Sequence, residues 1–175
     1  IDPVTGRPEY DMSKKPGTGY EADFCPSLWG GKDWPPAAFN PKTRLLFIPA
    51  NVNVCSTMVG EEVQYSPGRA YMGRGQSENG GFFVRPGADH IGELQAWNVD
   101  TGEREWTTTF ENQNWGPVLA TAGDLVFMGG TNDRYFRAFD ASTGEVLWEQ
   151  RLNSGVIGVP VTYTLDGKQY VAVLA

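Results

Sequence analysis

Several chemistries are closed off by what this sequence lacks. Among 175 residues there is one histidine, His90, and two cysteines, Cys25 and Cys55. A zinc site therefore has too few nitrogen and sulfur ligands to form. No Cys-x-x-Cys-His stretch occurs, so nothing in the chain attaches a c-type haem. Lys and Arg number 14 against 21 Asp and Glu, giving a formal charge of −7 with no basic block. That excludes nucleic acid and anionic membrane surfaces as partners. No apolar run approaches the ~20 residues of a membrane span. The opening "IDPVTGRPEY" has no charged region followed by an apolar one, so no signal peptide is expected there. It also lacks an initiating Met, and the closing "QYVAVLA" stops inside what reads as a strand. The expectation is a processed chain or a fragment cut at both ends.

Helical periodicity is nearly absent as well. What is present is turn chemistry and aromatic bulk: 22 Gly, 12 Pro, 13% aromatic and 40% hydrophobic residues. Such a chain has ample core material and is too aromatic for disorder. Short β-branched and aromatic runs alternate with Gly, Pro, Asn and Asp clusters, the pattern of an all-β fold. The two cysteines fit either buried thiols or a disulfide in an oxidising compartment, and spacing alone leaves both open.

The strongest internal signal is a repeat. "LQAWNVDTGEREWT" (94–107) returns as "FRAFDASTGEVLWEQ" (136–150), with Ala96, Thr101, Gly102, Glu103 and Trp106 recurring as Ala138, Thr143, Gly144, Glu145 and Trp148 at a constant offset of 42 residues. Runs at 116–123, 124–130, 134–140 and 145–152 read as four short antiparallel strands joined by tight turns. Four strands in some 40 residues match one blade of a β-propeller. The preceding unit, 35–110, has strands at 35–41, 44–50, 92–100 and 103–110, with a long excursion over 51–91 read as an insertion without regular structure. A third unit starts at 155 and runs to 175. In the repeated turn, Asp140, Thr143 and Gly144 bond local amides and allow positive φ. Trp106 and Trp148 are expected to pack between adjacent sheets. Two and a half blades do not close a ring of roughly 4–8, so the chain reads as part of a larger polypeptide.

At these residues the sequence resembles a family. The "A-x-D-x-x-T-G-E-x-x-W" turn is similar to the tryptophan-docking motif of the pyrroloquinoline quinone (PQQ)-dependent alcohol dehydrogenases. "CPSLWGGKDWPPAAFNP" (25–41), "NWGPVLATAGDLVFMG" (114–129) and "GVIGVPVTYTLDGKQYVAVLA" (155–175) resemble their methanol and ethanol dehydrogenase branch. The resemblance spans nearly the whole chain and implies the C-terminal part of an eight-bladed periplasmic enzyme. Such enzymes oxidise small primary alcohols with PQQ and a Ca²⁺ or lanthanide ion, and pass electrons to a cytochrome c-type acceptor. The family's aspartate base, metal-ligand carboxylates and vicinal disulfide match nothing in these residues, so no catalytic or metal-ligating residue is expected here.

Two parts of a cofactor wall are implied. In "GGKDW", Asp33 and Trp34 match positions that contact PQQ at the axial end of a blade. Many members carry Asn where Asp33 stands. A carboxylate facing a tricarboxylate cofactor is repelled unless it is protonated or a cation intervenes, supplied by Lys32 or by a basic residue from the rest of the larger polypeptide; capping of a strand end is the alternative role for Asp33. In "NWGPV", Trp115 matches the tryptophan at the cofactor edge, where a planar indole suits a planar quinone. Trp115 lies outside the docking register, which argues against the alternative of another docking tryptophan. The resemblance also implies a Cys25–Cys55 disulfide.

The remaining candidates read as structural. His90 precedes a strand as an exposed or capping residue. Asp23, Glu61 and Glu62 read as solvated loop carboxylates. "GRGQSENGG" reads as a flexible loop, because its spacing is not a dinucleotide fingerprint. Two other functions compete: a non-enzymatic propeller that binds proteins as a scaffold, and sugar oxidation in the related glucose dehydrogenase branch. "GGKDW" and "NWGPV" argue against a scaffold, and "SGVIGVPVTYT" argues for the alcohol branch.

Overall fold

The computed structural model describes residues 1–175. In chain order its strands are β1 (Glu21–Phe24), β2 (Ala38–Asn40), β3 (Leu45–Asn51), β4 (Val54–Val59), β5 (Gly81–Val84), β6 (Gly92–Asn98), β7 (Arg104–Phe110), β8 (Leu119–Ala120), β9 (Leu125–Met128), β10 (Tyr135–Asp140), β11 (Val146–Arg151), β12 (Val161–Leu165) and β13 (Lys168–Ala172). The one helical element is a 3₁₀ turn at Met12–Lys14. The fold is all-β, built of β-propeller blades.

The chain divides into two compact units. One comprises Ile1–Leu28 and Asn53–Pro86, and its centre is a three-stranded antiparallel sheet in the order β1-β4-β5. This corrects the expectation of a structureless excursion. Residues 54–59, rich in β-branched Val and Thr, pair with β1, while Gly81–Val84 pairs with the other edge of β4. Phe24 lies opposite Ser56 in this ladder, which brings Cys25 beside Cys55. The two form a disulfide with a Cα–Cα separation of 4.4 Å.

The second unit comprises Trp29–Val52 and Gly87–Ala175. It holds two four-stranded antiparallel sheets, β2-β3-β6-β7 and β11-β10-β9-β8, and the β12–β13 hairpin. Strand β8 is only two residues long, much shorter than the run "GPVLATAG" suggested. Alternate residues of each sheet face a shared core of Leu45, Phe47, Leu94, Ala96, Val126, Met128, Phe139 and Ala141. The period-2 pattern of strands thus becomes a dry layer between two sheets.

The repeated turn recurs bond for bond. Asp140 Oδ1 accepts from the amides of Ser142 (2.8 Å) and Thr143 (3.0 Å), as Asn98 Oδ1 accepts from Asp100 (3.0 Å) and Thr101 (3.3 Å). Gly102 and Gly144 have φ of +73° and +74°. Even the register shift recurs, between Ala96 and Trp97 and between Ala138 and Phe139.

The two docking tryptophans differ. Trp106 bonds Ala141 O through its indole N–H at 3.0 Å and packs on Phe47. Trp148 is 50% exposed, contrary to expectation. It lies on β11, the edge strand of its sheet, with its ring at right angles to that of Phe136 and the centroids 6.5 Å apart.

Candidate functional site

Asp33 and Trp34 lie in a strandless turn between Trp29 and β2. Lys32 shapes this turn: its ammonium donates to the carbonyls of Asp33 (2.6 Å) and Pro35 (2.8 Å). The lysine therefore serves the backbone rather than the Asp33 carboxylate, which differs from the neutralising role anticipated for it. Asp33 is exposed and Trp34 is 55% exposed, so both side chains are open to a ligand.

Trp115 lies on a second segment, Asn114–Val118, that runs beside the first. The Val118 amide donates to Pro36 O at 3.0 Å. Trp115 meets Trp29 edge-to-face, with centroids 5.5 Å apart and planes at 74°. Asn51 joins the two segments. Its amide N–H donates to Gly31 O at 2.8 Å, and its side-chain Oδ1 accepts from the Asn114 amide at 2.8 Å. The structure thus places Asp33, Trp34 and Trp115 on two adjoining segments, with direct ring contact at the Trp29–Trp115 pair.

Behind Trp115 the chains approach too closely for side chains. A Cβ on Gly116 would come within 2.5 Å of the Gly130 amide, and the Trp115 amide donates to Gly130 O at 3.0 Å. Glycine at both positions lets the two backbones touch, which fixes the base on which Trp115 stands.

Trp29, Asn51 and Asn114 were not identified from sequence. Asn51 ends an apolar strand, where asparagine reads as turn chemistry, and its role depends on a partner 63 residues away. The only available signal was the run "NWGP" itself, in which a rigid indole is bracketed by a buried asparagine and a glycine.

The other candidates have structural partners. Asp23 accepts from Thr57 Oγ1 at 2.6 Å, and Glu61 and Glu62 are exposed. His90 is less exposed than expected: its side chain is 21% exposed and it lies between Asp89 (2.6 Å) and Glu93 (2.8 Å). Glu93 is buried, and also receives Gln95 Nε2 and Arg104. The Glu93 hydrogen bond is the main cause that raises the His90 pKa above its ordinary value, against a smaller opposing effect of burial. The same histidine, by hydrogen bonding, holds the Asp89 carboxyl below the usual range.

Two concavities, about 390 Å³ beside Arg74 and Ser77 and about 310 Å³ beside Arg137 and Asp133, are lined by none of Asp33, Trp34 and Trp115. No three His, Cys, Asp or Glu side chains are grouped to hold a metal. No helix is long and apolar enough to cross a membrane.

A family model, the PQQ glucose/ethanol/alcohol dehydrogenase β-propeller domain, matches residues 107–171. A quinoprotein ethanol dehydrogenase of Pseudomonas putida is 38% identical over 180 residues, an alignment covering 99% of this chain and 28% of that protein. The chain belongs to the quinoprotein alcohol dehydrogenase family. A lanthanide-dependent methanol dehydrogenase of Methylacidiphilum fumariolicum is 41% identical over 151 residues, covering 86% of this chain and 24% of that protein. Among solved structures, a europium-containing methanol dehydrogenase superposes with a TM-score of 0.82 at 38% identity, over 92% of this chain and 28% of that one. The chain thus spans little more than a quarter of the length of the quinoprotein dehydrogenases it matches.

Proposed function

We propose that this chain is a C-terminal segment of a periplasmic PQQ-dependent dehydrogenase that oxidises small primary alcohols to aldehydes, and that it supplies part of the cofactor wall. The observation that carries the reading is the Trp29–Trp115 pair, clamped by Asn51 beside a turn that leaves Asp33 and Trp34 exposed. This donor set fits a flat, acceptor-rich quinone: indole faces and N–H donors on Trp34 and Trp115 suit its ring plane and edge. The exposed Asp33 carboxylate suits it only with a cation nearby. When bound, PQQ supplies the two-electron acceptor, and a Ca²⁺ or lanthanide ion supplies Lewis acidity.

Within that site, this chain's residues bind and orient. Trp115 sets the plane of the wall because its backbone is held on both sides. Trp34 excludes water from the same side of the pocket, and Asp33 places a negative charge at its rim. The ion's ligands, the general base, the docking of a cytochrome c-type acceptor and the repeat that covers Trp148 are assigned to the remainder of the propeller chain.

The test is dye-linked alcohol oxidation by the full-length protein with PQQ and either Ca²⁺ or La³⁺. Activity that requires both additions supports the reading, and a folded protein inactive under every combination defeats it. Residues 1–175 alone are expected to show no activity. A scaffold role would instead predict a full-length protein indifferent to PQQ.

A further inference from the structure

Every peptide group that flanks Trp115 is held. The carbonyl of Asn114 accepts from Asn51 Nδ2 at 3.3 Å, the amide of Trp115 donates to Gly130 O at 3.0 Å, and the amide of Gly116 donates to Asn114 Oδ1 at 3.0 Å. These groups belong to the two rigid peptide units on either side of the Trp115 Cα, so neither of its backbone dihedrals is left free to turn.

Two asparagines do most of this holding. Asn51 presents both ends of its primary amide to one residue, with Oδ1 accepting from the Asn114 N–H and Nδ2 donating to the Asn114 carbonyl. It pairs with that residue as a neighbouring strand would, at a place where no strand runs. Asn114 is fully buried. Its Nδ2 donates to Glu93 O at 2.8 Å and lies 3.0 Å from Met128 Sδ. Residues from β3, β6 and β9 thus converge on the one residue that precedes Trp115. Only a primary amide offers a donor and an acceptor at this spacing. Aspartate lacks the donor, and alanine leaves two buried backbone groups without partners.

We propose that Asn51 and Asn114 are positioning residues that fix the Trp115 indole edge-on to Trp29 before any cofactor arrives. The proposal rests on the reading that Trp115 faces PQQ. A wall ordered in advance loses less conformational entropy on binding, so the clamp acts on cofactor affinity.

The experiment uses the full-length protein carrying Asn51→Ala or Asn51→Asp. It first reads the near-ultraviolet circular dichroism of the cofactor-free protein, in which the coupled Trp29–Trp115 band is assigned with Trp29→Phe. Asn51→Ala is expected to lose most of that band while the rest of the spectrum persists. It is also expected to raise the PQQ dissociation constant about tenfold or more. Asn51→Asp buries a carboxylate against the Asn114 carbonyl, so it is expected to lose at least as much as Asn51→Ala in both readouts. If neither variant folds, Asn51→Ser, which is neutral and keeps a hydroxyl, carries both tests. A retained Trp29-dependent band with unchanged PQQ affinity, whatever the melting temperature, overturns the proposal. If the unsubstituted protein takes up no PQQ, the cofactor reading falls, and the dichroism of the variants alone decides the clamp.

Discussion

The indole N–H of Trp106 donates to the carbonyl of Ala141 at 3.0 Å, and its ring lies against Gly144. One sheet is thereby latched to the turn of the next. The bond crosses from the outer strand of the first blade to the repeated turn of the second, and Thr108 Oγ1 adds a bond to Gly144 O at 2.9 Å. Gly144 serves two purposes here, whereas its repeat partner Gly102 serves one.

That difference makes a paired prediction. A Cβ on Gly144 would meet Trp106 Cε3 at 2.5 Å, while one on Gly102 meets nothing within 4 Å, and both residues have positive φ. Gly102→Ala should destabilise by about 1–2 kcal/mol, from backbone strain alone. Gly144→Ala should cost about 1–3 kcal/mol more, from displacement of the ring. Urea unfolding of the two variants measures the gap, and equal losses would refute the latch.

Cys25 and Cys55, 30 residues apart in sequence, staple the first unit. By the chain-entropy model the disulfide contributes about 3–4 kcal/mol. Cys25→Ser with Cys55→Ser should therefore lower the stability of residues 1–28 and 53–86 far more than that of the blade core. Hydrogen exchange resolves the two, and a uniform loss of protection would contradict the assignment.

The fold was more legible than the site, for a physical reason. Strands and turns are local: Asn98 or Asp140 followed by x-x-T-G-E builds its turn from its own amides, so the repeat could be read directly from residues 98–103 and 140–145. The Cys25–Cys55 pairing and the quinoprotein family were likewise legible through resemblance. Contacts that depend on two distant segments were hidden. Asn51 reads as a turn residue until Asn114 is placed against it, and β4 reads as part of a loop until β1 pairs with it. Lys32 was one of two candidate cations for the Asp33 carboxylate, but its ammonium reaches the Asp33 carbonyl instead.

His90 makes a pH-dependent contribution. Glu93, Asp89 and Arg104 surround it or its partner, and the Glu93 bond is the main cause that raises its pKa from the ordinary 6.5. A raised pKa in the folded state means that the stabilisation is complete below 6.5 and is lost as pH climbs through the folded-state value. Melting temperature should fall over that window in the unsubstituted protein, and the step should vanish in His90→Gln. A step of unchanged size in the variant would assign it to another group.

Asp33 gives a prediction of opposite sign. Its exposed carboxylate would face a tricarboxylate cofactor, and Lys32 is engaged with carbonyls. Asp33→Asn in the full-length protein should tighten PQQ binding by about three- to tenfold, the effect of removing one like charge in a wet site. Weaker binding would mean that a cation bridges Asp33 to the cofactor.

The most direct test of the central claim is a PQQ titration of the full-length protein with Ca²⁺ or La³⁺, followed by tryptophan quenching, for the unsubstituted protein and for Trp115→Ala. The account predicts one PQQ per chain, and affinity lower by about tenfold or more in the variant, the loss expected when one aromatic wall contact is removed. Saturable binding that Trp115→Ala leaves unchanged, or no binding at all by the unsubstituted protein, would contradict it.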